Sequence, residues 1–444
     1  MGIGECGRKV GLELFRMTNG NALESVNKMH YFTLIDLAEP ASQMKDVYKM
    51  EIPESCVNVL QYADTELQPE SNLFIKRMRD VEERGVGGLW CHSKEIAEGA
   101  WGNFQETFKY HLTNIEWYNV FHSAGGGTGC GAGPVFLEKI QKEYKEEEIV
   151  LSEDLYTATL ILPNEYWEGW RETNSAAAIG RHSRIAHGII VADNLQGEVL
   201  VENAVACNAP IKTYDSRELI NKRLAEVWIS MQMTNISENN PVPKIYEAAD
   251  YRRLFTNGDY AGVLVPCFRE YTLNDFVRGG LNLKGAVYDT MRNHQLAAFE
   301  LEDFENIIVI VTLPSSTNGL AGHVVKNMED YGEIADMLQR MHGRDFEPAV
   351  IYAYSKSLVD SVKIMVFVKD PHIPRFLDLY HKLEAIIENP TKMRDTINKM
   401  FPKDFDRTSK NRIMQNAQEE FKKAYNNFSK YIHAKGFDNH RGKR

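Results

Sequence analysis

The sequence has few features of a secreted, disulfide-linked or membrane-inserted protein. Its six cysteines lie far apart without a CxxC pair, so neither a disulfide framework nor a zinc ribbon is indicated. The longest apolar runs, at residues 307–313 and 364–368, are far shorter than the roughly 18 residues of a membrane helix. Residues 1–14 lack the apolar stretch of a secretory signal. We therefore expect no membrane insertion and a cytoplasmic location.

Composition and charge are those of a folded protein with a basic end. The 444 residues are 43% hydrophobic and 25% charged, which suits two or three ordinary domains. Residues 401–444 hold 11 Lys or Arg against five acids, so this segment carries +6 and leaves −17 elsewhere from the total of −11. Such a segment is typical of contact with an acidic surface, a neighbouring copy or nucleic acid, although a solvated helix face is the more ordinary explanation.

Short β-branched and aromatic runs alternate with amphipathic segments. Residues 31–35, 118–123, 157–162 and 188–191 read as strands, and the alternation predicts parallel strands with crossover helices. A long helix at about 214–233 precedes the Asn-Pro-rich stretch 239–243, which we interpret as a boundary. Further strands are predicted at 262–268, 306–313, 349–354 and 362–369.

The predicted organisation is an α/β protein: a Rossmann-like parallel-sheet domain, a long central helix, a smaller α/β second domain and a helical C-terminal extension. The predicted ranges are 1–211, 212–238, 239–372, 373–435 and a disordered basic tail at 436–444.

The sharpest motif is the seven-residue segment Gly125-Gly126-Gly127-Thr128-Gly129-Cys130-Gly131, which we call the glycine heptad. It lies between a predicted strand and a helix expected near Ala132, and its backbone can form a concave anion-binding site, or cradle. Glycines let the backbone approach a ligand closely, and a helix N-terminus adds unpaired N–H groups and the positive end of its dipole. Phosphate is the group that such a cradle binds. Because no Gly-Lys-Ser/Thr follows, it is not a Walker loop.

Another glycine-rich segment, Gly2 to Gly7, is the first glycine segment along the chain and precedes a helix expected at Val10. Alone it is compatible with a dinucleotide-binding fold, which usually has an acid about 20 residues further on. Asp36 comes later than that, and the glycine heptad has no role in such a fold. A Rossmann-type NAD(P)-dependent oxidoreductase therefore stays as the less favoured alternative.

The glycine heptad resembles the signature loop of the tubulin and FtsZ superfamily of polymerising GTPases. Gly4 to Gly7 is similar to tubulin's first nucleotide loop, residues 36–40 to its DLEP segment, and residues 163–169 and 191–195 to two FtsZ loops. The resemblance implies a GTPase that binds GTP or GDP with Mg²⁺ and assembles head to tail into filaments. The nucleotide-binding positions it implies are Gly4, Glu5, Cys6, Gly87, Gly88, Gly125, Gly126, Gly127, Thr128, Gly129, Cys130, Glu168, Asp193, Asn194, Tyr214 and Glu218.

Two residue pairs receive more specific hypotheses. Tyr214 and Glu218 share one helix face at i, i+4, so the ring can stack on a base while the carboxylate accepts hydrogen bonds from guanine N1 and N2. Glu247 and Asp250, at i, i+3, fit the acidic loop that polarises the attacking water, which in this superfamily reaches the nucleotide of the next subunit. The resemblance also suggests that Glu39 holds a magnesium-bound water.

Several positions depart from the superfamily pattern. No strand is predicted before the first glycine segment, and Glu5 places a negative charge beside the phosphates, which requires compensation by a metal or a proton. With Ile245 in the acidic loop, this leaves open a nucleotide-binding polymer that hydrolyses little. The basic C-terminal helix resembles those of TubZ-like plasmid and phage proteins, which implies a DNA-bound adaptor and a role in segregation.

Overall fold

The computed structural model describes most of the chain outside several connecting segments. The described residues are 1–18, 32–37, 45–47, 49, 56–61, 63–64, 71, 73–79, 86–112, 115–146, 154–164, 169–206, 215–233, 248–257, 259–278, 280–301, 304–314, 330–342, 348–355, 358, 360–402 and 407–438.

The first part of the chain alternates strands and helices, as the pattern predicts. Its strands are β1 (Gly2–Ile3), β2 (Phe32–Asp36), β3 (Val57–Leu60), β4 (Leu73–Arg77), β5 (Trp117–Ser123), β6 (Leu155–Leu162) and β7 (Gly188–Asp193). Its helices are α1 (Gly4–Thr18), α2 (Trp90–Leu112), α3 (Gly127–Glu146), α4 (Trp170–Ile185), α5 (Asn194–Ala206) and the long α6 (Ser216–Met233).

The second part begins with the short α7 (Ala248–Phe255) and contributes mostly antiparallel strands. It comprises β8 (Thr256–Asn257), β9 (Tyr260–Thr272), α8 (Leu273–Val277), α9 (Leu283–Asn293), β10 (Asn306–Pro314), α10 (Asp330–His342), β11 (Ala349–Ser355) and β12 (Ser361–Lys369).

One continuous sheet joins both parts, in the order β11-β10-β12-β9-β7-β6-β5-β1-β2-β4-β3. The first seven strands, β1 to β7, all pair in parallel with their neighbours. Strand β9 also pairs in parallel with β7, from Gly188–Gly262 to Ile190–Leu264. The β9–β12 and β12–β10 pairs are antiparallel. Every residue of β6 and β7 is buried, as expected for parallel strands covered on both faces.

Three helices form the C-terminal region: α11 (Pro374–Ile387), α12 (Pro390–Met400) and α13 (Arg407–Ala434). The predicted helical C-terminal extension is confirmed, and α13 is amphipathic, because Ala417, Phe421, Ala424 and Phe428 are buried. Gly180 of α4 has no room for a side chain, since a Cβ there would lie 2.8 Å from the Ala424 carbonyl oxygen. α13 is therefore packed closely on α4.

Four local expectations were wrong. A short first strand does exist, because Gly2 and Ile3 pair with β2 and Gly2 pairs with β5. α1 begins at Gly4 rather than near Val10, and α3 at Gly127 rather than near Ala132, because glycine segments in sequence read as loops. The tail is not disordered from Gly436, since the described turn buries Phe437 against Phe376.

Within the described part of the chain, no helix is both long and apolar enough to cross a lipid bilayer.

Candidate functional site

The glycine heptad lies where β5 ends and α3 begins. Gly125 forms the turn, and Gly127 to Gly131 already belong to the first turns of α3. The preceding Ala124 N–H donates to the Ile161 carbonyl at 2.9 Å, which fixes the turn to β6. Because the first four N–H groups of a helix lack intrahelical acceptors, this junction presents donors at the carboxyl end of the parallel sheet.

The first glycine segment packs directly on the heptad. Gly4 has φ +70°, a conformation that glycine adopts without strain, and a Cβ there would lie 3.4 Å from the Gly129 nitrogen. A Cβ on Gly129 would lie 2.5 Å from the Cβ of His122 and 3.1 Å from the Ile3 carbonyl oxygen. The first glycine segment and the heptad therefore form one cradle. An NAD(P)-dependent oxidoreductase would have no use for the heptad.

The third glycine segment, Gly87–Gly88, borders the same cradle. A Cβ on Gly127 would lie 2.6 Å from the Gly87 carbonyl oxygen, so α3 begins in contact with this segment. The Gly88 N–H donates to the Met400 carbonyl at 2.9 Å, which joins the segment to the end of α12. A ligand that accepts a hydrogen bond from Gly88 N–H must displace that carbonyl.

Helix α4 holds the glycine segments from inside the protein. The Asn174 side-chain amide donates to the carbonyls of Gly88 at 2.7 Å and Gly125 at 3.2 Å. Arg181 Nη1 donates to the carbonyls of Cys130 at 3.0 Å and Gly131 at 3.1 Å. The cradle is thus braced by a helix that follows it by about 45 residues in sequence.

The bond from Arg181 compensates for a proline. Pro134 lies inside α3 and has no N–H to donate to the carbonyl four residues earlier. That carbonyl belongs to Cys130, and Arg181 supplies the missing donor. Burial raises the pKa of the Cys130 thiol to about 12, so the thiol stays protonated and donates to the Asn174 carbonyl at 3.1 Å.

Two buried histidines support the underside of the cradle. His122 Nε2 lies 2.9 Å from His182 Nε2, and His122 Nδ1 lies 3.0 Å from the Ser123 carbonyl oxygen. Since a carbonyl only accepts, His122 carries its proton on Nδ1 and accepts from His182 through Nε2. Burial lowers the pKa of His122 to about 4 and holds the pKa of His182 well below its ordinary value. Both are packed core histidines.

The N-terminus of α6 borders the cradle beside α1. The Cys6 thiol donates to Asn221 Oδ1 at 3.8 Å, and Glu218 is exposed in the first turn of α6. Glu5 bonds to Lys9 at 2.8 Å, and that hydrogen bond, with the charge of Lys9, lowers the pKa of Glu5. Lys9 therefore offsets part of the negative charge of Glu5, with smaller contributions from Arg8 and Arg217.

Asp193 and Asn194 lie at the carboxyl end of β7, on the same sheet edge as the heptad. Both are buried. Asp193 Oδ1 accepts from the Leu195 N–H at 2.9 Å, so this side chain satisfies a donor at the start of α5.

Asp250 lies at the opposite edge of the sheet. In α7, the Tyr251 ring lies 5.1 Å from that of Trp117, the first residue of β5, and Phe255 packs against Gly188 at the start of β7. The heptad follows the other end of β5, which is about 20 Å away for a strand of this length. The structure therefore does not bring Asp250 and the cradle together within one chain.

Four predicted positions lie outside the described residues: Glu39, Glu168, Tyr214 and Glu247. Among the positions that are described, no group of three or more His, Cys, Asp or Glu side chains could hold a metal ion.

Several site residues were missed by sequence reasoning. Asn174 and Arg181 are remote in sequence from the segments they hold, so no motif spacing indicates them. Lys9 and Asn221 could have been found, because Lys9 is i+4 from Glu5 and Asn221 is i+3 from Glu218.

Comparison with known families agrees with this geometry. Residues 1–196 match the model of the Tubulin/FtsZ family, GTPase domain. The tubulin beta-2 chain of Suillus bovinus is 23% identical over 142 residues, and the alignment spans only 31% of this chain and 31% of that relative.

Solved structures share the fold over most of the chain. The CetZ2 protofilament from Haloferax volcanii, bound to GTPγS, has a TM-score of 0.61 at 12% identity and covers 87% of this chain and 97% of its own. GDP-bound monomeric CetZ1 from the same organism has 0.60 at 15% identity, covering 86% and 98%. CetZ from Methanosaeta thermophila has 0.60 at 13% identity, covering 90% and 93%. The architecture is the tubulin/FtsZ-like fold with a helical C-terminal region.

Proposed function

We propose that this chain, whose residues 1–196 match the model of the Tubulin/FtsZ family, GTPase domain, binds GTP in the glycine cradle, assembles head to tail and hydrolyses GTP between subunits. The observation that carries the proposal is that the cradle and Asp250 lie at opposite ends of the parallel strands of one sheet. A subunit with complementary halves of a site at its two ends completes that site by stacking on a copy of itself.

Helix α6 supports the same arrangement. Its first turn carries Glu218 beside the cradle, and its 18 residues extend about 27 Å toward the sheet edge where α7 lies. The protofilament form of the CetZ2 structure is consistent with head-to-tail assembly here. A filament contact would place Asp250 of one copy over the cradle of the next, where a carboxylate can orient the attacking water.

Glu218 is proposed to select guanine. An exposed carboxylate in the first turn of α6 can accept two hydrogen bonds from guanine N1 and N2, whereas adenine has no such donor pair. Glu218→Gln should lower the preference for GTP over ATP by about tenfold or more, because the glutamine NH₂ group would then face the N–H donors of guanine instead of an acceptor oxygen. Equal preference in the wild type and this variant would contradict the assignment.

Magnesium and a cellular role rest on the resemblance alone, and a cytoplasmic location stays an expectation from the sequence. Triphosphate hydrolysis needs charge neutralisation, which a magnesium ion supplies when it is bound to the phosphates. The DNA-bound adaptor and the segregation role stay predictions, because the relatives support self-association rather than an adaptor.

The proposal is tested by GTP turnover per subunit over a wide range of protein concentration, with pelleting of the same samples. Turnover should rise steeply where pelleted protein appears and fall about 100-fold or more in Asp250→Asn, since a positioned base contributes about 10² to 10⁴ in rate. Glu333→Gln, an exposed acid in α10, is the matched control and should keep wild-type turnover.

Three other outcomes have distinct meanings. Turnover independent of concentration would exclude an interface-completed site. GTP binding and pelleting with negligible turnover would indicate the polymer that hydrolyses little. Absence of GTP binding would contradict the proposal altogether.

A further inference from the structure

Asn174 connects two segments of the cradle, Gly87–Gly88 and the glycine heptad. Its side chain is fully buried in α4, and the Nδ2 amide donates both to Gly88 and to Gly125. Its own carbonyl accepts from the Cys130 thiol. An amide NH₂ has two N–H groups, so both donors are used to hold one glycine segment against the other.

This contact also aims a backbone donor. The peptide between Gly125 and Gly126 is trans, so its C=O and N–H point in opposite directions. With the Gly125 carbonyl turned toward Asn174 in the interior, the Gly126 N–H points away from α4. Gly126 is partly exposed, so this N–H faces the open side of the cradle.

The two segments depend on Asn174 to different degrees. The start of α3 has further contacts, because Ser93 Oγ donates to the Thr128 carbonyl at 3.0 Å and Arg181 holds two more carbonyls. The hydrogen bonds described for the Gly88 peptide outside its own turn are those with Asn174 and Met400, and its remaining neighbours, such as the Trp170 ring, make only packing contacts. Loss of Asn174 should therefore displace Gly87–Gly88 more than the heptad.

The order of the contacts places Gly87–Gly88 at the terminal-phosphate end. Glu218 and Cys6 lie on the base side, Gly4 touches Gly129, and Gly127 touches Gly87. A nucleotide with its base beside α6 reaches Gly87–Gly88 with its last phosphate.

We propose that Asn174 is a positioning residue that fixes Gly87–Gly88 against the heptad and thereby sets the preference for a nucleoside triphosphate over the diphosphate. This inference rests on the proposed function. Asn174→Asp has the same shape but turns a carboxylate toward two carbonyl oxygens, and Asn174→Ala removes the contact without adding charge.

The test measures GTP and GDP affinities of nucleotide-free, monomeric wild type and both variants by calorimetry. Ser175→Ala is the matched control, because Ser175 is also buried in α4 but its hydroxyl donates only within that helix, to the Arg171 carbonyl at 3.0 Å. The preference for GTP over GDP should fall about tenfold in both Asn174 variants, the factor expected for one lost buried hydrogen bond, with GDP affinity little changed.

Hydrogen exchange of the ligand-free proteins supplies a second readout, which does not depend on nucleotide. Exchange of peptides covering residues 86–90 should increase in the Asn174 variants, while peptides from residues 131–140 stay protected. An unchanged GTP preference in both variants, or an equal loss in Ser175→Ala, would overturn the inference while the proposed function stands. Wild type that binds neither nucleotide would overturn both.

Discussion

The bond between Arg181 and the Cys130 carbonyl predicts a specific coupling with Pro134. Arg181→Met removes two hydrogen bonds to α3 and the guanidinium that lies 5.1 Å from the Trp90 ring centroid. The orphaned Cys130 carbonyl costs about 1–3 kcal/mol, and the lost cation–π contact about 1 kcal/mol. The variant should therefore lose about 3 kcal/mol of unfolding free energy.

The corresponding change in melting temperature is small but measurable. Unfolding entropies near 2.1 cal/mol/K per residue give about 0.9 kcal/mol/K for a chain of this length. A loss of about 3 kcal/mol then lowers Tm by about 3 °C, which scanning calorimetry resolves. Arg184→Met is the matched control: Arg184 is an exposed arginine of the same helix that also contacts an aromatic ring, 5.4 Å from the Tyr260 ring centroid, and its loss should lower Tm by only about 1 °C.

Pro134→Ala tests whether the missing donor is the cause. Alanine at position 134 provides an N–H for the Cys130 carbonyl, so this substitution should stabilise Arg181→Met more than it stabilises the wild type. The double-mutant cycle should show a coupling free energy of about 1 kcal/mol. Strict additivity of the two substitutions would refute the account of how α4 supports the heptad.

Three further predictions concern charge. Burial lowers the pKa of His122 to about 4, whereas an unfolded histidine titrates near 6.5, so the protein should lose unfolding free energy as pH falls from about 6.5 toward 4. His122→Gln should make Tm decline less steeply over this pH range, and an unchanged slope would contradict the prediction. Glu172→Ala leaves the buried Arg375 guanidinium without the carboxylate 3.3 Å away and should cost about 3 kcal/mol in thermal unfolding, so wild-type stability would be inconsistent with the pair. Lys9→Ala should weaken GTP binding severalfold at low salt by leaving Glu5 uncompensated, and Glu5→Gln should restore the affinity; without such rescue, Lys9 does not act through Glu5.

The parallel strands and the heptad junction were predictable because their signals are local. The runs that predict β5, β6 and β7 are rich in β-branched and aromatic residues, and five glycines in seven residues at a strand end indicate a phosphate-binding turn whatever surrounds it. Both β3 and β4 were missed, since they are short and β4 contains a lysine. Lys76 is nevertheless fully buried, because its ammonium group donates to the carbonyls of Asp64 and Asn103.

The support of the cradle could not be predicted, because it depends on contacts between distant segments. Asn174 and Arg181 look like ordinary polar residues of a helix, and Met400 like an ordinary apolar one. Only the folded chain shows that the first two hold glycine carbonyls and that the third accepts from Gly88.

The central claim, that two copies complete one GTPase site, is tested most directly by mixing two inactive variants. Asp250→Asn keeps the cradle but lacks the acid. Gly126→Asp keeps the acid and adds a negative charge to the cradle, at a glycine where a Cβ makes only ordinary contacts of 3.8 Å or more; Gly126→Ala is its uncharged control.

Each variant alone should be nearly inactive. In an equal mixture, one interface in four pairs an intact cradle with an intact acid, so turnover should recover to about a quarter of the wild-type value. Recovery near that level would establish a site shared between subunits. A mixture no more active than its components, although both variants enter the same filaments, would contradict the claim.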